Sequence, residues 1–544
     1  IITVATIKAA LDAGTSVTIS TSSGGAQLGD IAINSAIATT SATDVTLTLN
    51  AHNNININAS LSATGTGKLH LVLNANTDAA GGGVTTIGQS GSPTISLNGG
   101  TLGTATGAAI NVSNGATFNT VTLDANLTVT GQLTLENGLT LANGKTLTIN
   151  NATVLYSGTQ ALGGAGSLVF GGSSIAYLYR QSAGATLTIG SGITVSGSGT
   201  GSAYLGYYSD DAINFQGVLN ANVAGKTWYL GGFNNTGNIN VSAGTVRMDT
   251  YSGAGSWTNT STVGKGIAVS GSGVLNLDDA FTTTGIGRIT RSGGSINITG
   301  TLDNTGQTLD IGSAGPFGAG GLAALTGTIA NGTIISGDGT LLNTPSGTLN
   351  GVTIGSNLGF TGGYAYIDNH LLLANGITVN KGSVAWYFRS GGTQNLTTVS
   401  GSATINNAGG GTYTGWGVAG QTLQVGSGIT FQGYGTFGDS TAATIVNNGT
   451  LIGNTAGQTF TLNPTNLTNN GTLRVTAGTL TVNPTNWTNT GTISIQGGSF
   501  SLSGTNLTNT GTTTVDPGAT LTLTGNLTLA SLGTFSRGAG SSIN

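Results

Sequence analysis

The chain has 544 residues, with 96 Gly, 6 Pro, no Cys and a formal net charge of −4 at pH 7. Charged residues make up 6% of it, far below the roughly 25% of ordinary soluble domains, and the 13 Lys and Arg are scattered singly. We therefore expect no nucleic-acid partner, and the absence of a long apolar run predicts no membrane span. The start at Ile1 lacks the features of a signal peptide, so we expect a mature product or an excised segment.

The first element along the chain is the one clear helical pattern. Ile7 and Leu11 are spaced i,i+4 in an Ala-rich stretch, and Gly14 can end a helix. The pattern predicts a short amphipathic helix at about residues 4–13. We expect this helix to cap one open end of the structure that follows it.

From Ser16 onward the sequence consists of short alternating segments separated by Asn-Gly, Ser-Gly, Thr-Gly and Gly-Gly pairs. Val45, Leu47 and Leu49 alternate with polar residues, which is typical of a strand with one buried face. The glycine pairs accept the positive φ angles of tight turns. The sequence therefore predicts an all-β fold apart from the N-terminal helix.

A repeat near the C-terminus decides which all-β architecture to expect. The segment "NLTNNGTLRVTAGTLTVNPT" is followed by "NWTNTGTISIQGGSFSLSGT" and "NLTNTGTTTVDPGATLTLTG", a step of 20 residues. Each repeat has too few strands to bury a face alone, so stacked coils, a parallel β-helix, are predicted. At about 20–24 residues a coil, the chain would form roughly 22–25 coils.

The repeat also predicts which residues stack. One asparagine opens each copy, and we expect these residues to form an amide ladder at one corner of successive coils. The ladder residues are Asn466, Asn486, Asn506 and Asn526. The residues that follow them, Leu467, Trp487, Leu507 and Leu527, would form the adjoining inward column.

The sequence also contains a second, longer repeat that includes several coils. "VTLDANLTVTG" at 121–131 returns as "VTIGSNLGFTG" at 352–362, and further matches follow at similar offsets. We expect one continuous solenoid with five parts. They are the helix and first coils (1–110), a module (111–250), intervening coils (251–340), a second module copy (341–480) and the 20-residue coils (481–544).

The N-terminal region carries a recognisable pattern at Gly29-Asp30-Ile31, Ile33-Asn34 and Leu47 through Ile57, within roughly residues 3–77. In these residues it resembles the filamentous-haemagglutinin-like exoproteins of bacterial two-partner secretion. The resemblance implies a right-handed parallel β-helix, extracellular export to the bacterial cell surface, and adhesion or fibre formation. Only "NPTN" at 463–466 and 483–486 approaches the Asn-Pro-Asn-Gly motifs of that family's secretion domain. A repeat module of the stalk is therefore favoured over the secretion domain.

Catalysis needs converging acidic groups, and this chain has 17 acidic residues with Glu136 as its single Glu. The pairs Asp210-Asp211 and Asp278-Asp279 would point to opposite faces of a strand, and in a turn either could hold Ca²⁺. We favour a structural or solvated role for both pairs over a Ca²⁺ site. We predict a chain that is not an enzyme, with no catalytic residue, metal site or cofactor.

Aromatic residues form two groups that could either fill the core or present a surface to a glycan or protein receptor. The candidates in the first group are Tyr204, Tyr207, Tyr208, Trp228 and Tyr229. Those in the second are Tyr364, Tyr366, Trp386, Tyr387 and Trp416.

Together these patterns predict a structural rod or fibre segment of a secreted bacterial surface adhesin. We expect it to self-associate end to end or to continue into a larger chain, since uncapped coils can pair with another copy. A glycan-binding module that uses the aromatic groups is the alternative, and a polysaccharide-degrading enzyme is a weaker one.

Overall fold

The computed structural model describes residues 2–21, 28–78, 82–414, 420–438, 443–525 and 528–544. Strands make up 57% of the chain and helix 3%, and parallel strands stack into a β-solenoid of about 23 turns. The all-β class, the parallel stacking and the number of coils are confirmed, while the handedness and the five-part division stay predictions. The chain divides into two compact units, Ile1–Ser295 and Ile296–Asn544.

The predicted N-terminal helix is confirmed at Val4–Asp12. Ile7 and Leu11 are its buried residues, and it packs on the strands of the first coil. Asp12 joins the C-terminal end of the helix to the first coil, because its Oδ1 accepts a hydrogen bond of 2.8 Å from the backbone N–H of Thr40. An ion pair with Lys8 and this backbone bond lower the pKa of Asp12 to about 2.

The first unit is built from short strands and one 3-10 turn, Thr284–Ile286. Its strands are Val17–Ser20, Ile31–Ile33, Ile37–Thr39, Val45–Asn50, Ile55–Ile57, Leu61–Ala63, Leu69–Asn74, Thr85–Ile87, Thr94–Ser96, Thr101–Gly103, Ile110–Val112, Gly115–Asp124, Leu127–Val129, Gln132–Leu141, Thr146–Asn150, Thr153–Ser157, Thr159–Gly164, Ser167–Gly171, Ala176–Arg180, Thr186–Ile189, Thr194–Gly197, Ala203–Leu205, Ala212–Phe215, Val218–Leu230, Phe233–Asn235, Asn238–Arg247, Thr258–Asn259, Gly266–Val269, Val274–Leu277, Ala280–Thr282 and Ile289–Arg291.

The second unit has the same construction, with a 3-10 turn at Leu529–Leu532. Its strands are Ser295–Ile298, Thr301–Asp303, Thr308–Asp310, Ala324–Leu325, Thr328–Ala330, Thr333–Ile335, Leu342–Ile354, Leu358–Leu373, Thr378–Gly382, Ala385–Phe388, Thr393–Thr398, Ala403–Ala408, Thr412–Thr414, Thr422–Val425, Ile429–Phe437, Thr444–Asn447, Thr450–Leu462, Asn466–Asn469, Thr472–Val482, Asn486–Asn489, Thr492–Ile495, Ser499–Ser503, Asn506–Asn509, Thr512–Val515, Thr520–Thr524, Thr534–Arg537 and Ser542–Ile543.

Inward-facing apolar residues form continuous columns through each unit. In the strand Val45–Asn50, Val45, Leu47 and Leu49 are buried and the residues between them are half-buried, as the alternation predicts. Leu47 pairs with Leu71 of the next coil, and Leu71 pairs with Leu102 of the coil after that. Because equivalent residues lie one above another, each coil buries the apolar face of its neighbour.

Coil length varies more than the predicted 20–24 residues. Gly115 pairs with Gln132, a step of 17 residues, whereas Leu71 pairs with Leu102, a step of 31. Strand pairing fixes the core of each coil, and the corners between strands take up the difference in length. The regular step of 20 returns where Asn466 pairs with Asn486.

A glycine column explains why Asn-Gly or Thr-Gly recurs in every 20-residue repeat. A Cβ atom at Gly491 would lie 2.1 Å from the carbonyl oxygen of Gly471, and one at Gly511 would lie 2.1 Å from that of Gly491. No side chain fits at such a distance. The corner of each coil therefore rests directly on the backbone of the coil before it.

Candidate functional site

The structure divides the aromatic candidates into core and surface residues. Tyr204, Trp228 and Trp386 are buried. The half-buried ones are Tyr207, Tyr208, Tyr229, Tyr364, Tyr366 and Tyr387. Trp416 lies outside the described residues. Sequence reasoning left the choice between core and surface open, and both roles occur.

Seven tyrosines of the first unit form what we term the first tyrosine cluster. They are Tyr177, Tyr179, Tyr204, Tyr207, Tyr208, Tyr229 and Tyr251. Its centre is a stack in which Tyr204 lies 5.1 Å from Tyr177 and 4.4 Å from Tyr229, measured between ring centroids. The planes of Tyr204 and Tyr229 are 2° apart. Strand register causes this stack, because Tyr204 pairs with both tyrosines across neighbouring coils.

A buried carboxylate, Asp211, holds the loop that carries Tyr207 and Tyr208. Its Oδ2 accepts hydrogen bonds of 2.6 Å from the backbone N–H groups of both tyrosines. Its Oδ1 accepts from the Tyr156 hydroxyl at 2.8 Å and from the backbone N–H of Arg180 at 2.9 Å. Burial and the Asp211 charge raise the pKa of Tyr156, so its hydroxyl remains a donor. Asp211 is thus a structural anchor, in line with the structural role favoured for the acidic pairs, although its four donors were not predicted.

Two arginines border the first cluster. The guanidinium carbon of Arg180 lies 4.6 Å from the ring centroid of Tyr208, and Arg180 also pairs with the exposed Asp210. Arg247 lies 5.8 Å from Tyr229 by the same measure, and its Nη2 lies 2.9 Å from Oδ1 of Asp278. The cluster surface is therefore aromatic and lined by ion pairs.

The second tyrosine cluster, in the second unit, consists of Tyr364, Tyr366, Tyr387 and Tyr413. Tyr387 stacks on Tyr413 with ring centroids 5.1 Å apart and planes 16° apart. The guanidinium carbon of Arg389 lies 4.0 Å from the centroid of Tyr366. Asp368 orients Arg389 through two hydrogen bonds, of 3.1 and 2.6 Å, and this pairing raises the pKa of Arg389.

Each unit also buries a lysine beside a tryptophan, a feature that sequence reasoning missed although both lysines are in phase with the inward residues of their strands. Lys226 Nζ lies 5.7 Å from the Trp228 ring centroid and donates to the Gly201 carbonyl at 2.5 Å. Lys381 Nζ lies 5.9 Å from the Trp386 centroid and donates to Asn407 Oδ1 at 2.9 Å.

Burial of these two amines disfavours their charged forms. It lowers the pKa of Lys226 to about 8 and that of Lys381 to about 7. The two cores therefore contain amines that lose their charge far more easily than a surface lysine does.

Three of the four asparagines predicted to form a ladder lie within the described residues, and hydrogen bonds join them in a row. Nδ2 of Asn486 donates to Oδ1 of Asn466, and Nδ2 of Asn506 donates to Oδ1 of Asn486, both at 2.7 Å. Asn526 and Leu527 lie outside the described residues. In the adjoining column Leu467 and Trp487 are buried, but Leu507 is only half-buried.

A second asparagine ladder lies inside the solenoid and was missed by sequence reasoning. Asn447 donates to Asn469 at 2.7 Å, Asn469 to Asn489 at 2.6 Å, and Asn489 to Asn509 at 2.8 Å, each from Nδ2 to Oδ1. All four are buried. The signal was present, since residues three apart on a strand face opposite sides, and Asn469 lies three residues after the outward Asn466.

The acidic pairs act within turns. Asp279 Oδ2 accepts from the backbone N–H and the hydroxyl of Thr250, both at 2.8 Å, while Asp278 pairs with Arg247. Among the residues that the structure describes, no group of three His, Asp or Glu side chains could hold a metal ion. In the same described ranges, no helix is long and apolar enough to cross a membrane.

The fold defines the class: the chain is a parallel β-solenoid repeat protein. No protein-family model matches the sequence, and none of the curated proteins matches it either.

Proposed function

We propose that this chain is a rod or fibre segment of a secreted bacterial cell-surface adhesin, and that its role is mechanical rather than catalytic. The observation that carries the proposal is the stacking of parallel coils over apolar columns and asparagine ladders. Within each unit, backbone hydrogen bonds join successive described coils along the stacking direction, so the parallel strands of a coil share a load. The sequence resemblance at Gly29-Asp30-Ile31 and Leu47 through Ile57 supports an extracellular surface location.

Electron microscopy of the native material tests this role. We expect rods, or filaments if the coils of one copy pair with those of another, on the outside of the producing cells. Sedimentation of the purified chain over a range of concentrations would measure self-association. Compact particles confined to the cell interior would contradict the proposal.

A second candidate function, glycan binding, is favoured by the exposure of Tyr251 in the first cluster. Its side chain is 60% exposed, and an exposed aromatic ring can stack on the apolar face of a sugar. The inner rings are less suited, because Tyr204 and Tyr229 cover one another's faces. Trp228 and Trp386 are buried, so substitutions there would test packing instead of binding.

A glycan array with the purified chain and its Tyr251→Ala variant tests this second function. We expect binding of a surface polysaccharide that the variant loses. Tyr413→Ala in the second cluster is the control, because it removes a stacked tyrosine elsewhere. Equal binding by all three proteins, or none by any, would contradict glycan recognition at Tyr251.

Incubation with pectin, alginate and host glycans should give no bond cleavage if the role is non-enzymatic.

A further inference from the structure

The first tyrosine cluster contains a ring pair with unusual geometry. Tyr204 and Tyr229 are Cα partners on the neighbouring strands Ala203–Leu205 and Val218–Leu230. Their rings are parallel to within 2° and their centroids are 4.4 Å apart. Burial, followed by the neighbouring Tyr229, raises the pKa of Tyr204. With this spacing and orientation, the two rings stack face to face.

We propose that Tyr204 and Tyr229 form a site of oxidative cross-linking, at which a one-electron oxidant joins the two rings as dityrosine. Strand pairing holds the two rings next to each other before oxidation, and the side chains turn as the product forms, because the new bond lies in the plane of each ring. The product would be a covalent link between two successive coils. A peroxidase with hydrogen peroxide is the chemical class of oxidant that would supply this reaction outside a cell.

The chemistry balances within the pair and the oxidant. Each tyrosine loses one electron and its phenolic proton to give a tyrosyl radical. The radicals couple through a new bond between their Cε carbons, and the hydrogens on those carbons then move to the oxygens, which restores both phenols. Two electrons and two protons leave in total. With hydrogen peroxide as the final acceptor, they are taken up as two molecules of water.

The remaining tyrosines provide a route for the oxidising equivalent from the surface. Tyr251 is exposed, whereas Tyr204 is 5% exposed. Tyr251 lies 5.5 Å from Tyr204 and 5.1 Å from Tyr207, between centroids. An oxidant that meets only Tyr251 can therefore draw an electron from the buried member of the pair through direct ring contacts. The radical then resides where its coupling partner is already in place.

The test uses the full chain with tris(bipyridine)ruthenium, persulfate and visible light, where one persulfate takes up the two electrons and becomes two sulfates. We expect a dityrosine yield per chain, measured by fluorescence, that is independent of protein concentration. The mass of the chain should fall by two hydrogen atoms. Peptide sequencing by mass spectrometry should find Tyr204 joined to Tyr229. Tyr229→Phe keeps the stacked ring but removes the phenol, so this cross-linked peptide should disappear.

Tyr387→Phe is the matched control in the second cluster, where the stacked partner Tyr413 lies 5.1 Å away. This variant should retain the Tyr204–Tyr229 link at the yield of the unaltered chain. Cross-links spread evenly over exposed tyrosines, or unchanged fluorescence in Tyr229→Phe, would overturn the proposal. So would a yield that depends on protein concentration, because the link would then join separate chains.

Discussion

The two tyrosine clusters contain the same parts in different arrangements. Each contains a tyrosine stack and has an arginine over one of its tyrosine rings. Each also lies in a unit that buries a lysine beside a tryptophan. The first is held in place by Asp211, a buried carboxylate that accepts four hydrogen bonds. The second is held mainly by the half-exposed pair of Asp368 and Arg389. Similar composition thus gives a deeply anchored surface in one unit and a lightly anchored one in the other.

The largest expected difference concerns these anchors. Asp211→Asn should lower the free energy of unfolding of the first unit by about 3 kcal/mol, because an amide NH₂ would face donors that need acceptors. Asp368→Asn should cost about 1 kcal/mol or less, as for other partly exposed ion pairs. Thermal unfolding and hydrogen exchange measure both. Asp210→Asn, beside Asp211 but exposed, is the control, and equal losses at Asp210 and Asp211 would refute the anchoring role.

The buried lysines should differ in pH dependence. The pKa of Lys381 falls from 10.5 to about 7, so between these values the unfolded chain binds a proton that the folded chain lacks. Stability contributed by this group therefore rises with pH across that window, by at most about 1.4 kcal/mol per pH unit. For Lys226 the window begins near pH 8.

Lys381→Met should remove this rise and increase stability at neutral pH, as measured by denaturant unfolding from pH 6 to pH 10. Lys226→Met should show the same effect over the narrower window. Lys68→Met replaces an exposed lysine and serves as the control. A Lys381→Met variant that keeps the pH dependence of the unaltered chain would rule out this role for the amine.

The stacks come next in expected effect. Tyr229→Ala and Tyr413→Ala each remove a terminal ring, and stacked aromatic pairs contribute about 0.5–1.5 kcal/mol beyond their buried area. We expect the larger loss at Tyr229, where the rings are closer and more nearly parallel. Near-ultraviolet circular dichroism would follow each stack. A larger loss of stability for Tyr413→Ala than for Tyr229→Ala would contradict the prediction that the first stack is the stronger one.

The smallest effect is expected at the arginines. Arg389→Lys and Arg180→Lys keep the charge but lose the flat guanidinium, at a cost of about 0.5–1 kcal/mol. Arg389 lies closer to its ring, 4.0 Å against 4.6 Å, so its substitution should cost more. Parallel unfolding curves for the two variants provide the comparison, and indistinguishable midpoints would contradict it.

Much of the fold could be predicted because the same residue pattern recurs in successive coils of a solenoid. The alternation of Val45, Leu47 and Leu49 predicted which side chains face inward, and the 20-residue step predicted the ladder that begins at Asn466. Both signals are local in sequence, and stacking turns local periodicity into tertiary contact.

The missed features are polar residues at inward positions. Lys381 lies two residues after the buried Val379, and Lys226 lies two residues before the buried Trp228, so both lysines follow the alternation of their strands. They were missed because a lysine is rarely buried, and an inward position is therefore expected to be apolar. The hydrogen bonds of Asp211 could not be predicted, since its four donors come from a turn and from two other coils.

The inner asparagine ladder has a consequence for how such a chain can change in length. Asn447, Asn469 and Asn489 each donate to the next member of this ladder, so a further member can be added without reversing the direction of the bonds. Loss or gain of one whole 20-residue unit brings two equivalent amides together and closes the row again. A partial unit would leave a buried donor and a buried acceptor apart. Gain or loss of a whole coil therefore keeps this row of amides closed, whether the coil has 20 residues, as from Asn469 to Asn489, or 22, as from Asn447 to Asn469.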